Sequence, residues 1–425
     1  MTATEVHRAI EAVWRIESAR LIASLTRLTR DVGVAEELAQ DALVAALEQW
    51  PDGGIPASPG AWLLTTARNR GLDRLRHARV SQDKEAAIAY ELEMARGNGE
   101  GLLSAAEDDI GDDLLKLVFV ACHPVLSREA RTALTLKLVA GLTTAEIARA
   151  FLVPEPTIAQ RIVRAKRALA AAAVPFEIPR REELGERLAS VLEVVYLVFN
   201  EGYLATSGPE WTRPALCEEA LRLGRILAEL ASAEAEVHGL IALMEIQASR
   251  LRARSGPTGE PVLLMEQNRA LWDQLLIHRG LIALARGEKL GESRGPYLLQ
   301  AAIAACHARA GSPGDTDWVQ ITALYDELAR VTGSAVVELN RAVAVGMAYG
   351  PAAGLALVEA LSARGELESY HLLPSVRADL LAKLGRHAEA RREFERAAGL
   401  TKNAREQRLL SQRAEVCRLK AERVN

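Results

Sequence analysis

The stretch from Gly141 to Arg167 leaves the chain few ways to fold. Thr143 followed three residues later by Glu146 is the reciprocal pattern that caps a helix start, and Ile147, Ala148 and Phe151 give that helix one apolar face. Leu152, Val153 and Pro154 make a turn, and Pro156 falls in the first turn of a second helix, where a missing N–H costs nothing. Ile158, Ile162, Ala165 and Leu169 then recur at helical spacing and point inward. Neither short helix can cover its apolar stripe alone, so the pattern reads as a helix-turn-helix. Thr157, Gln160, Arg161 and Arg164 fall on its outer face, where Arg and Gln can bond guanine and adenine edges in a major groove. Lys166 and Arg167 suit phosphates. The plainer alternative is a solvated basic face on a helical hairpin.

The rest of the chain must be helical as well. Aromatic residues are only 4% of 425, so Ala and Leu fill the core, and both are strong helix formers. An all-α chain of two or three domains is the expectation. The net charge of −4 excludes a wholly basic nucleic-acid coat protein, but the average hides a partition. Residues 1–82 balance 10 Lys/Arg against 10 Asp/Glu, 83–113 hold 2 against 10, and 114–180 hold 10 against 4. A +6 module therefore follows a −8 segment. With a Pro-bearing joint at 174–180, the divisions are 1–80, an acidic linker 81–113, a module 114–175, and a long helical region 185–425.

Residues 31–50 form an amphipathic helix with Ala39, Leu43, Leu47 and Trp50 on one face and Glu37, Asp41, Val44 and Glu48 on another. An acidic face carrying one exposed Val suits a basic partner surface. A loop at 51–60 leads to a basic helix that Ser58 can cap, with Pro59 at its first position. Leu64, Ala67, Gly71 and Leu75 form its inward stripe, leaving Arg68, Asn69, Arg70, Asp73, Arg74 and Arg76 outward. Such a helix can hold a single strand, Arg on phosphates and polar groups on the edge of an unstacked base.

Taken in order, the acidic helix, the Trp62-containing basic helix, the acidic linker and the helix-turn-helix resemble the extracytoplasmic-function (ECF) subfamily of sigma-70 RNA polymerase sigma factors. The resemblance covers about 10–80 and 112–172. It implies an all-α chain with a helical region 2 domain and a helix-turn-helix region 4 domain. Glu36, Glu37, Gln40 and Asp41 would dock on the β′ clamp of core RNA polymerase. Trp62, Arg68, Asn69, Asp73, Arg74 and Arg76 would open and read the −10 element of promoter DNA. Thr157, Gln160, Arg161, Arg164, Lys166 and Arg167 would read the −35 element, with region 4 also meeting the β flap. The linker would run near the RNA exit path. The family has no catalytic residues and no cofactor, since the polymerase performs the chemistry.

The region after 185 resembles the tetratricopeptide-like extension of one subgroup, and Leu381–Leu400 carries a repeat-like hairpin cadence. It is expected to modulate activity in cis. Its concave surfaces suit a peptide or small ligand, and Asn200, Glu201, Tyr203, Asp317, Trp318, Tyr370 and His371 either line one or cap helices. Cys122, Cys217, Cys306 and Cys417 fit buried structural thiols in a reducing cytoplasm, and neither a signal peptide nor a membrane span is evident. Two other readings stand beside the sigma factor: a ligand-responsive helix-turn-helix regulator that does not dock on polymerase, and an enzyme or scaffold whose basic helices are incidental.

Overall fold

A computed structural model describes residues 3–78, 106–151, 153–204, 211–257, 259–291 and 293–422. It divides into two compact units, Met1–Leu197 and Val198–Asn425. All regular structure among the described residues is helical, apart from one isolated bridge between Ser255 and Pro261.

The first unit holds α1 (Ala3–Thr29), α2 (Val32–Gly53), α3 (Pro59–Ala78), α4 (Ala106–Ala121), α5 (Arg128–Leu138), α6 (Thr144–Phe151) and α7 (Glu155–Ala171). α8 (Arg181–Tyr203) begins here, and the division between units falls within it. Asp31 starts α2 by accepting from the N–H groups of Gly33 and Val34 at 2.7 and 3.1 Å. α1 packs on α2, α3 and α4, and α5 packs on α7. Ile22, Leu25, Trp50 and Leu63 fill the core around α1 to α3, while Leu117, Phe119, Leu134 and Leu136 fill that of α4 and α5.

Several boundaries differ from expectation. α2 continues through Pro51 to Gly53, shortening the loop, because its last turn is held where Gly54 N–H returns to Trp50 O at 3.0 Å. On α2, Ala35, Leu38, Ala39, Ala42, Ala45, Ala46 and Trp50 face inward, whereas Leu47 is exposed. On α3 the buried Leu is Leu63 rather than Leu64. Residues 81–105 of the acidic linker lie outside the described residues, and α4 runs across the expected division at 113/114. Asp113, inside that helix, is buried against Arg27 Nε and Lys116 Nζ, both at 3.2 Å.

The second unit continues with α9 (Pro214–Leu230), α10 (Ala235–Ala248), α11 (Gln274–Leu290), α12 (Pro296–Arg309), α13 (Trp318–Thr332), α14 (Ala335–Tyr349), α15 (Pro351–Ala363), α16 (Leu372–Lys383), α17 (His387–Leu400) and α18 (Ala404–Glu422). α10 is apolar nearly all round and therefore central, covered by α9, α11 and α12. Gly239 lets α12 approach it, since a Cβ there would come within 2.6 Å of the Leu298 backbone nitrogen. Glu236 of α10 caps α12 by accepting from Tyr297 N–H at 2.8 Å and Leu298 N–H at 3.2 Å. Helices α14 to α18 pack as sequential neighbours around Leu355, Val358, Leu381 and Phe394. The hairpin expected at 381–400 is α16–α17, turned at Gly385 with φ 77°.

No helix of the described residues is long and apolar enough to cross a membrane. All four cysteines are buried and unpaired by disulfides, and burial pushes the Cys122 thiol up to about 11 and that of Cys217 up to about 12. Among the described residues no group of three or more His, Cys, Asp or Glu side chains could hold a metal ion.

Candidate nucleic-acid interface

The helix-turn-helix assembles as its residues require. Thr143 N–H donates to Glu146 Oε2 at 2.7 Å and Glu146 N–H donates to Thr143 Oγ1 at 3.1 Å, closing the capping box in both directions. Ile158, Ile162, Ala165 and Leu169 of α7 are all buried. Thr157, Gln160, Arg164 and Arg167 are exposed on the opposite face, and Arg161 is half-buried. The helix ends where Val174 N–H reaches Leu169 O at 3.2 Å and Ala173 N–H reaches Ala170 O at 3.1 Å. This stop places Ala173 in the left-handed region at φ 47°.

Lys166 departs from its neighbours. Its ammonium does not point outward with Arg167 but pairs with Glu36 of α2, a side chain only 4% exposed. Lys137, at the end of α5, reaches the same carboxylate at 3.8 Å, and Gln40 Nε2 donates to Glu36 Oε1 at 2.9 Å. Both departures have a cause in spacing. Lys166 follows buried Ile162 by four residues, at the margin of the inward stripe, and Glu36 lies between Val32 and Ala39 on the buried face of α2. Of the four acidic-helix residues, Glu37 and Gln40 are exposed, Asp41 is half-buried and Glu36 is buried.

On α3, Trp62 packs edge-on against buried Trp50, ring centroids 5.3 Å apart at 68°. Gly71 allows close packing on α2, since a Cβ would sit 3.1 Å from Leu38 Cδ1. Asn69 is exposed, and Arg70 Nη1 donates to the Asp41 carbonyl at 2.6 Å, tying α3 to α2. Arg68 is half-buried, and its guanidinium is held below its ordinary range by burial and then by the charge of Arg27. The side chains of Asp73, Arg74 and Arg76 lie outside the described residues. A cavity of about 610 Å³ opens between α1, the start of α2 and the end of α7, with Arg27, Arg30, Asp31, Lys166 and Glu177 in its wall. Lys137 and Arg27 were not expected near these faces. Each sits in a last helical turn without an outward motif to mark it.

A sigma-70 region 2 family model matches residues 15–80 and a sigma-70 region 4 model matches residues 116–169. The ECF RNA polymerase sigma factor SigC of Mycobacterium tuberculosis (strain CDC 1551 / Oshkosh) is 30% identical over 149 residues, which are 35% of this chain and 75% of that protein. The chain belongs to the ECF sigma-70 family. Its function is that of an RNA polymerase sigma factor, directing transcription initiation, and the family is not enzymatic.

The ECF sigma factor SigK of Mycobacterium sp. (strain KMS) is 28% identical over 162 residues, covering 36% of this chain and 77% of its own. An uncharacterized protein, R00370, of Rhizobium meliloti (strain 1021) is 46% identical over 388 residues, 90% of each chain. That likeness extends through the helical region beyond the sigma regions, where a family of unknown function, DUF6596, matches residues 187–288. No solved structure matches the chain. In this sigma factor region 2 corresponds to α1–α3 and region 4 to α4–α7.

Proposed function

We propose that the sigma factor docks on core RNA polymerase through the exposed side of α2, reads the −10 element of promoter DNA with α3, and reads the −35 element with α7. The observation that carries this reading is the sorting of α7, with Ile158, Ile162, Ala165 and Leu169 buried and Thr157, Gln160, Arg164 and Arg167 exposed together. Arg164 and Gln160 offer bidentate contacts to base edges, and Arg167 and Arg161 offer charge to phosphates. Glu37, Gln40 and Asp41 are the docking residues on α2 for the β′ clamp, and region 4 meets the β flap. Trp62, Arg68, Asn69, Asp73, Arg74 and Arg76 are the −10 set.

Glu36 and Lys166 belong to opposite functional sets yet hold each other. The arrangement is therefore a resting one, and engagement of Lys166 with a phosphate requires that it leave Glu36. The region 185–425 modulates activity in cis.

Run-off transcription with purified core polymerase, on the promoter of the protein's own gene, tests the reading. Promoter-dependent transcript is expected, with about tenfold or greater loss for Arg164→Ala if a bidentate base contact is removed. Absence of any transcript together with no binding to core would sink the proposal. Comparing the full chain with residues 1–180 at one promoter tests modulation in cis. Equal output from two core-binding proteins would rule it out.

A further inference from the structure

The second unit gathers three arginines that no carboxylate neutralises. Arg254 Cζ lies 3.7 Å from the Tyr203 ring centroid and 5.5 Å from that of Trp211. Arg250 Cζ lies 5.9 Å from Tyr203 and 5.7 Å from Trp272, and Arg269 Cζ lies 4.5 Å from Trp272. The order is thus Trp211, Arg254, Tyr203, Arg250, Trp272, Arg269, an alternating ladder of rings and guanidinium planes. Arg250 is only 9% exposed. Among the described residues no Asp or Glu makes an ion pair with any of the three arginines.

The polar partners present are few. Arg250 Nη2 donates to the Tyr203 hydroxyl at 2.6 Å and to Gln247, and Arg269 Nη1 donates to the carbonyls of His307 and Ala310 at 2.6 and 2.7 Å. Asp315 lies close enough to Arg269 to be felt, but one of its oxygens accepts from Ser312 N–H and hydroxyl at 2.9 and 2.8 Å. Apart from His307 Nδ1, which is also buried without a partner, what is left over around the arginines and rings consists of donors. Nε of all three arginines, Nη2 of Arg269 and the indole N–H groups of Trp211 and Trp272 are buried without an acceptor. Buried donors are normally satisfied, and buried charge is normally paired. The surrounding field agrees, since His307 is pushed down to about 4 by burial and then by Arg250 and Arg269.

We propose that this ladder binds a small oxyanion-bearing molecule, a carboxylate or a phosphate ester. A group that only accepts hydrogen bonds matches the unused atoms of the arginines and tryptophans, which only donate. The guanidinium fork fits the paired oxygens of either group, and the rings between the forks hold them apart. The site lies within the residues matched by the family of unknown function. It is independent of the DNA-reading and docking assignments.

The test uses the purified full chain. Thermal unfolding and tryptophan emission are followed while inorganic pyrophosphate or citrate is added, against sodium chloride at matched ionic strength. A saturable rise in Tm with a change in emission is expected for at least one of the two anions and not for chloride. Response to pyrophosphate alone assigns a phosphate ester, and response to citrate alone a carboxylate. Arg269→Lys keeps the charge but loses the fork and should weaken binding about tenfold, while Arg250→Gln should abolish it. If Arg250→Gln does not fold, Arg254→Lys replaces it in the comparison. No response beyond chloride, or an equal response from the wild type and Arg269→Lys, would overturn the proposal and leave a ladder sustained by cation–ring stacking alone.

Discussion

The acid-sharing cations of the first unit and the three ladder arginines of the second are held in opposite ways. In the first, pairs of cations on different helices or turns share one acid: Lys137 and Lys166 share Glu36, Arg27 and Lys116 share Asp113, and Arg128 and Arg131 share Glu193. The second unit has such clusters too, Lys383 and Arg413 sharing Asp379, but its Arg250, Arg254 and Arg269 share rings instead. A shared carboxylate completes its cluster, which then serves as a cross-link between helices. A shared ring shields a guanidinium face but leaves the charge and the edge donors open, which suits a receptor better than a cross-link.

The largest test of this contrast is Glu36→Leu, which leaves Lys137 and Lys166 facing one another without an acid. We expect a loss of about 3 kcal/mol in urea unfolding, largely restored when Lys166→Met is added. An unchanged midpoint would show that the pair does not cross-link α2 to α7. Next is the pH response of His307. Its folded value of about 4 lies below the ordinary 6.5, so protonation favours the unfolded chain. Stability is complete above about pH 6.5 and falls as pH drops towards 4, by at most about 1.4 kcal/mol per pH unit. His307→Phe should flatten that segment of a melting-temperature profile. A ring that titrates near 6.5 by NMR would mean that His307 is neither buried nor in the field of Arg250 and Arg269.

A smaller loss, about 1–2 kcal/mol, is expected for Asp113→Asn, because Arg27 and Lys116 keep some exposure to water. The smallest effect concerns the helix end that follows Lys166. Ala173→Gly removes a left-handed alanine and should stabilise the chain by about 1 kcal/mol. Destabilisation by that change would mean the α7 stop is not what holds the residue there.

The helix-turn-helix was legible because every determinant of it is local: a box closed over three residues, a turn with prolines, and one stripe. The all-helical class followed from Ala and Leu in the absence of aromatic bulk. On α3 Ala67 and Gly71 are buried as expected and only the first position of the stripe differs, because adjacent leucines leave the choice between Leu63 and Leu64 to the packing partner. Glu36 and Lys166 were legible in another sense: their spacing from Val32 and Ile162 places both on apolar stripes, but charge suggested solvent. That only one could be buried with profit to the other requires knowing that α2 and α7 meet. The arginine ladder was beyond reach of pattern, since Tyr203, Arg250 and Arg269 come from separate elements with no common period. Tyr203 stood out only as a polar aromatic at a helix end. Asp317, singled out with it, proves to be the cap of α13, accepting from Gln320 N–H at 2.9 Å.

α8 carries one more implication. Ser190 Oγ donates to the Cys122 carbonyl at 2.7 Å and Arg187 Nη2 to the Phe119 carbonyl at 2.9 Å, both clamping the helix to the end of α4. The same helix ends in Tyr203, the ring between two ladder arginines. Within the first unit the two donors act as a latch: each fills a carbonyl that the end of α4 leaves without a helical partner, so that this end is fastened from outside and not by its own backbone.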